Sequence, residues 1–400
     1  MVFDIKKINN IFLVILVFFM VFDTARNFTP LPRFFGFLKD IIIYYFFLYM
    51  FFMKNIKKPS NKICFYVLLL LVGIWSWIGL LNIYENLTDT IVFILKINEF
   101  FVLMFVFRNY DLFFDKNYKS IISLYLLFSV LLFFATIFGY YIDNPLIGKN
   151  IVTENNQNMP DYMDRISIGQ PAIACFPQII SGTYFLSMKK KNTLIYLSAL
   201  ICFLGVLLST SITGIMTLFF ILILISIKKL IIGSLKQKIV ILFFTTTIVL
   251  LLSILIESDF FISNFSIPYA FVVNRIDQFL FDSSVDQSMV MRQNQGLYVI
   301  EHVHNAPLGW ILGEGCTGII IENTYYGFLL RYGVLGLCFL FVYFISLIFE
   351  AVKDKKNDFI LVLIVIYLAH LYTLDVFYTP TLCYTFPLFI NYIFWHFKHI

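Results

Sequence analysis

The sequence predicts an all-α polytopic membrane protein of about twelve transmembrane helices with one large, late extracytoplasmic loop. Three observations lead there: the composition, the length of the apolar blocks and the placement of the basic residues. Hydrophobic residues fill 60% of the 400 positions and charged residues 13%, where soluble domains run near 45–50% apolar and about 25% charged. Such a surplus excludes a water-soluble fold. The apolar residues fall into blocks of roughly 17 to 25, the length a helix rising about 1.5 Å per residue needs to cross about 30 Å of hydrocarbon. In lipid, a block of this kind satisfies its own backbone only as a helix.

Hydropathy places the spans near 8–23, 35–53, 63–82, 91–107, 120–141, 166–187, 193–208, 211–227, 239–256, 322–348, 359–377 and 381–397. The first follows Lys6 and Lys7, as a signal peptide would, but no small-x-small cleavage pattern follows it, so it is read as a spanning helix. The pair 193–208 and 211–227 reads as two spans or as one long broken helix. With the N-terminus in the cytoplasm, 20 of the 29 Lys and Arg residues fall in cytoplasmic segments and six in outside loops. Basic residues flanking spans report orientation, and one miscounted span would flip every later cluster. Their agreement along the chain supports the span count and puts both termini in the cytoplasm.

The chain then divides into a transmembrane bundle over 1–256, a large extracytoplasmic loop over 257–321 and a closing bundle over 322–400. A second, smaller outside loop covers 142–165. Long loops in compact proteins tend to carry function. No internal repeat relates the two halves, which argues against the repeat-built transporters. The six cysteines, Cys64, Cys175, Cys202, Cys316, Cys338 and Cys383, form no Cys-x-x-Cys pair and read as small core residues. The 49 Phe, 24 Tyr and 4 Trp read as lipid-facing filler and interfacial belts. No basic patch points to a nucleic-acid partner.

The late loop holds the residues that could carry chemistry. It reads Asn274-Arg275-Ile276-Asp277, then Met291-Arg292-Gln293, then Glu301-His302-Val303-His304-Asn305-Ala306-Pro307-Leu308-Gly309 and Leu312-Gly313-Glu314-Gly315. It re-enters the membrane as Glu322-Asn323-Thr324-Tyr325-Tyr326-Gly327, followed by Arg331 and Gly333-Val334-Leu335-Gly336. This order, covering about 275–340, resembles the O-antigen polymerase and ligase superfamily. A fainter match lies at Leu208-Ser209-Thr210-Ser211-Ile212-Thr213-Gly214.

The resemblance implies a surface-polysaccharide repeat-unit polymerase in the bacterial inner (plasma) membrane. Such an enzyme transfers an undecaprenyl-pyrophosphate-linked glycan to a second lipid-linked unit at the outer face, beside a flippase and a chain-length regulator. The reaction needs a cation for the departing pyrophosphate, where the planar fork of arginine suits, and a group that orients or deprotonates the acceptor hydroxyl. Arg292 occupies the position resembling the family's loop arginine, with Arg275 and Arg331 as further pyrophosphate candidates. A solvated loop arginine or headgroup anchor is the other reading of Arg292, and Arg331 either lines a cavity or snorkels.

Glu322 aligns with a family position often filled by His or an acid, and reads as acceptor-activating residue or as helix cap. His302 and His304 can accept a proton near neutral pH. Asn323, Tyr325 and Tyr326 are sugar-contact candidates. No acidic cluster has ligand spacing, so no metal and no cofactor is expected. Many family members carry Arg after the serine matched by Ser211, where this chain has Ile212; Arg165 or Arg275 would then supply that contact. Within the same superfamily a ligase fits the motifs as well, and from another class a lipid-linked oligosaccharide flippase shares the span count.

Overall fold

The computed structural model describes residues 5–23, 32–53, 56–57, 62–70, 73, 87–141, 171–188, 192–209, 211–232, 287–315, 321–353, 358–375, 377 and 379–398. The span expected near 239–256, the loop 142–165 with Arg165, and Arg275 lie outside these residues. Among the described residues the protein is entirely helical, with fourteen helices. They are α1 (Ile5–Phe22), α2 (Pro32–Phe51), α3 (Lys62–Leu70), α4 (Leu87–Arg108), α5 (Tyr110–Phe113), α6 (Tyr118–Tyr141) and α7 (Pro171–Ser187). There follow α8 (Thr193–Leu208), α9 (Ile212–Ile232), α10 (Gln287–Asn305), α11 (Gly309–Leu312), α12 (Thr324–Lys353), α13 (Asp358–Leu371) and α14 (Pro380–Lys398).

Among the described residues three stretches are long and apolar enough to cross a membrane: Ile5–Phe22, Tyr118–Phe138 and Thr324–Glu350. Shorter apolar helices accompany them at Ala172–Ser187, Thr193–Leu208, Thr213–Leu224 and Phe359–Leu371. The 193–227 region is two helices: α8 ends at Leu208, and Ser211 caps α9 by accepting from the Gly214 amide at 3.2 Å.

Helix α8 shows how the bundle sorts its residues. Leu194, Leu197, Leu200, Leu204 and Leu207 are exposed, whereas Ala199, Cys202, Gly205 and Val206 are buried. Large apolar side chains therefore face outward and small ones inward, the arrangement that lets helices approach in lipid. Against α7 the fit is tight: a Cβ at Gly205 would fall 2.3 Å from the Gln178 amide, and one at Gly182 would fall 2.4 Å from the Phe203 ring.

The core runs through the whole bundle. Helix α14 packs on α4 and α1, and α12 packs on α13 and α3. Aromatic rings fill the seam, with Phe100 and Phe377 at 5.0 Å and Tyr367 and Phe386 at 4.3 Å between centroids. Polar links lie inside it as well. Lys39 on α2 meets Asp23 at the end of α1 at 2.5 Å, both buried. The Tyr384 hydroxyl on α14 donates to buried Glu99 on α4.

Helix α12 contains a break. Gly333 has φ 63° and ψ −166°, a left-handed φ that favours glycine. Val334 to Lys353 alone supplies about 30 Å at the helical rise, enough for the hydrocarbon core. The turns before the break pack with α10 and α11 as a cap. Sequence hydropathy reads 322–348 as one continuous span because the residues on both sides of Gly333 are apolar.

Candidate functional site

The cap is built from α10, α11 and the first turns of α12. Helix α10 falls within the segment expected to be loop, and it lies on α12 through Val299 and Val303, which pack with Ile321 and Leu330 in a small core of their own. Helix α11 seats in the α12 break. The broken helix leaves the Leu330 and Arg331 carbonyls open, and they accept from the Glu314 amide at 2.7 Å and the Gly315 amide at 3.0 Å. Contact is close enough that a Cβ at Gly313 would fall 2.4 Å from the Arg331 carbonyl carbon, and one at Gly333 2.4 Å from Ile311 backbone. The glycines of the Leu-Gly-Glu-Gly and Tyr-Gly-Val motifs thus dock the two pieces of backbone.

Capping of α12 falls to Asn323, whose side-chain oxygen accepts from the Tyr325 amide at 2.9 Å and the Tyr326 amide at 3.3 Å. The Glu322 carboxylate is therefore left for another task. Its backbone amide is held by Gln295 of α10 at 3.2 Å, and the Arg292 guanidinium, one helical turn earlier, acts on the carboxyl. Burial pushes the Glu322 pKa above the ordinary 4.5, and Arg292 partly opposes it. The cap thus presents a half-buried acid within electrostatic reach of a half-buried arginine.

Glu314 and His302 lie within electrostatic reach of each other in the same way. Burial raises the Glu314 pKa and His302 opposes the shift. The His302 ring lies on Tyr298 with centroids 3.8 Å apart, and its Nδ1 is 3.0 Å from the Tyr298 carbonyl oxygen. His304 is exposed and forms no hydrogen bond or ion pair with the described residues. Tyr326 lies over Gly296, where a Cβ would come within 3.1 Å of its hydroxyl.

Other candidates face inward. Tyr325 donates its hydroxyl to the Leu368 carbonyl at 3.0 Å and stacks on Phe341, so it ties α12 to α13. Arg331 is 1% exposed and donates through both terminal nitrogens to Asp375 Oδ2 at 3.1 Å. Arg331, expected to line a cavity or to snorkel, is instead buried against Asp375. Gly327 makes room for it: a Cβ there would fall 3.1 Å from the guanidinium. Thr324 donates to the Leu374 carbonyl at 2.6 Å, which fixes the turn that holds Asp375.

Sequence reasoning passed over Asp375 and His370. Asp375 sits at the edge of an apolar block, and its partner is 44 positions away. His370 is fully buried, with Nδ1 2.8 Å from the Ile366 carbonyl oxygen and Nε2 3.9 Å from the Cys175 sulfur. The Ser209–Ser211 turn adjoins it through Gly214, where a Cβ would fall 2.6 Å from that sulfur. The fainter sequence motif is therefore folded against the same end of α13. Among the described residues no group of three or more His, Cys, Asp or Glu is placed to hold a metal ion. No protein-family model, curated protein or solved structure matches the chain.

Proposed function

We propose that the chain is a membrane glycosyltransferase that polymerises undecaprenyl-pyrophosphate-linked oligosaccharide repeat units at the outer face of a bacterial inner membrane. The observation that carries this reading is that Arg292 and Glu322 lie on one folded unit of α10, α11 and the start of α12, within electrostatic reach of each other. In the reaction, the acceptor hydroxyl oxygen attacks the anomeric carbon of the donor glycan. The bond from that carbon to the pyrophosphate oxygen breaks, and the lipid pyrophosphate leaves with the electron pair. Arg292 contacts the departing charge, and Glu322 takes the hydroxyl proton. An acid whose pKa is raised toward the working pH is a better-matched proton acceptor than an ordinary surface carboxylate.

A repeat-unit transporter is the second reading. It is favoured by the buried charges of the early helices, Lys39 with Asp23 and Glu99 with Tyr384, because charged groups inside spans often mark transport pathways. Complementation separates the two. The gene is deleted in its host, and wild-type, Arg292→Ala and Glu322→Ala copies are compared at matched membrane levels by surface-glycan gel. Polymerisation predicts that the deletion leaves glycan of a single repeat unit and that Arg292→Ala fails to restore the ladder. Loss of even the single unit supports transport or ligation instead, and unchanged glycan rejects all three.

A further inference from the structure

A groove of about 540 Å³ opens on the side of the bundle between α2, α3 and α4. Its walls are Phe47, Met50, Leu69, Phe101 and Val102, with Asn98 the polar side chain among them. Asn98 donates its amide to the Ile94 carbonyl within its own helix at 2.8 Å, so the groove makes little polar demand on an occupant. The volume falls in the range of sites that hold small molecules, about 300–1,000 Å³.

Its position along the helices narrows the choice. At one end the Tyr44 hydroxyl donates across to the Leu95 carbonyl at 2.6 Å, joining α2 to α4. The other end reaches Phe51, Ile56 and Phe105 on the lysine-rich face. From Leu95 to Phe105 the groove runs about 15 Å at the helical rise, half of the about 30 Å hydrocarbon core. That is the depth of one leaflet. At the lysine-rich end, exposed Lys57 is fixed in place by Asn109, which accepts from the Lys57 amide at 2.6 Å and donates to its carbonyl at 3.0 Å. Lys54, Lys58 and Lys62 flank it in sequence.

We infer that this groove binds one acyl chain of an anionic glycerophospholipid from the lysine-rich leaflet, with the lipid phosphate beside Lys57. The Tyr44–Leu95 link at mid-bilayer matches the end of an acyl chain, whereas a long isoprenoid would have to continue past it. The proposal rests on the bundle spanning a membrane and stands apart from glycosyl transfer.

Native mass spectrometry of the full chain in detergent tests it, with added phosphatidylglycerol, phosphatidylcholine of the same chains, or undecaprenyl phosphate. One phosphatidylglycerol is expected to remain bound under activation that strips phosphatidylcholine. Lys57→Ala is expected to weaken that binding about fivefold, the worth of one basic residue near an anionic headgroup. Val102→Trp, and Leu95→Trp at a more exposed wall position, should each remove the adduct by filling the groove. Equal retention of phosphatidylcholine overturns the headgroup assignment. Displacement of phosphatidylglycerol by undecaprenyl phosphate overturns the acyl chain in favour of an isoprenoid, and lipid retained by folded Leu95→Trp overturns the groove itself.

Discussion

Replacing Asp375 with alanine removes the carboxylate that takes both terminal nitrogens of Arg331 at 3.1 Å. The guanidinium is 1% exposed and cannot turn to water without opening the α12 break where α11 docks. Breaking one side of a buried ion pair costs about 3–5 kcal/mol, a factor of about a hundred to several thousand in the folded fraction at about 1.4 kcal/mol per decade. Tryptophan fluorescence and far-UV circular dichroism during titration of the purified protein from mild detergent into SDS measure the loss. The double variant Arg331→Met/Asp375→Leu is the control: with both charges gone, much of the stability should return. A loss below about 1 kcal/mol for Asp375→Ala, the value of an exposed surface pair, would refute the reasoning. So would a double variant as unstable as the sum of its single changes.

Gly333→Ala combines a left-handed φ with a Cβ 2.4 Å from Ile311 backbone. It should detach α11, and limited proteolysis should then cleave the cap faster than in wild type. Burial raises the Glu322 and Glu314 pKa values, so the folded state holds these protons more tightly than the unfolded chain does. Their contribution to stability is full below the ordinary 4.5 and lost as pH rises through the raised folded values. Thermal melting across that window should show the slope, and Glu322→Gln with Glu314→Gln should flatten it. Arg292→Ala should move the Glu322 titration further upward, since Arg292 opposes the burial shift; the midpoint of the same pH profile checks the direction. Lys39→Met, which leaves the Asp23 carboxylate buried, should cost about 3–5 kcal/mol in the SDS titration.

Hydropathy made the long apolar helices readable, because such a helix writes its length directly into the sequence. The expected span 120–141 corresponds to α6, of which Tyr118–Phe138 is long and apolar enough to cross a membrane, and 381–397 falls on the helix α14 at Pro380–Lys398. The cap was not readable by the same means. Helix α10 is about as polar as apolar, so a window tuned to lipid passes over it, and its apolar side packs only on Ile321 and Leu330. The break at Gly333 is silent for the opposite reason, since Val334, Leu335 and Leu337 continue the apolar run beyond it.

Among the candidate residues, the structure brings Arg292 and Glu322, two positions that motif order had already singled out, within electrostatic reach of each other. Asn323 and Tyr325 turn out to hold α12 by its cap and by its tie to α13. The partner of Arg331 could not be read at all, because ion pairing across 44 positions depends on how α12 and α13 pack. A charged residue at the edge of an apolar block, as Asp375 is, was the available signal.

Reconstitution of the purified chain with a synthetic polyprenyl-pyrophosphate oligosaccharide tests the proposal that the cap joins lipid-linked glycans. A repeat-unit polymerase should yield a ladder of lengthened glycans with release of one polyprenyl pyrophosphate per bond formed, lost in Arg292→Ala and slowed in Glu322→Ala. Glycans of unchanged length that cross the vesicle membrane, or a ladder indifferent to Arg292→Ala, would contradict it.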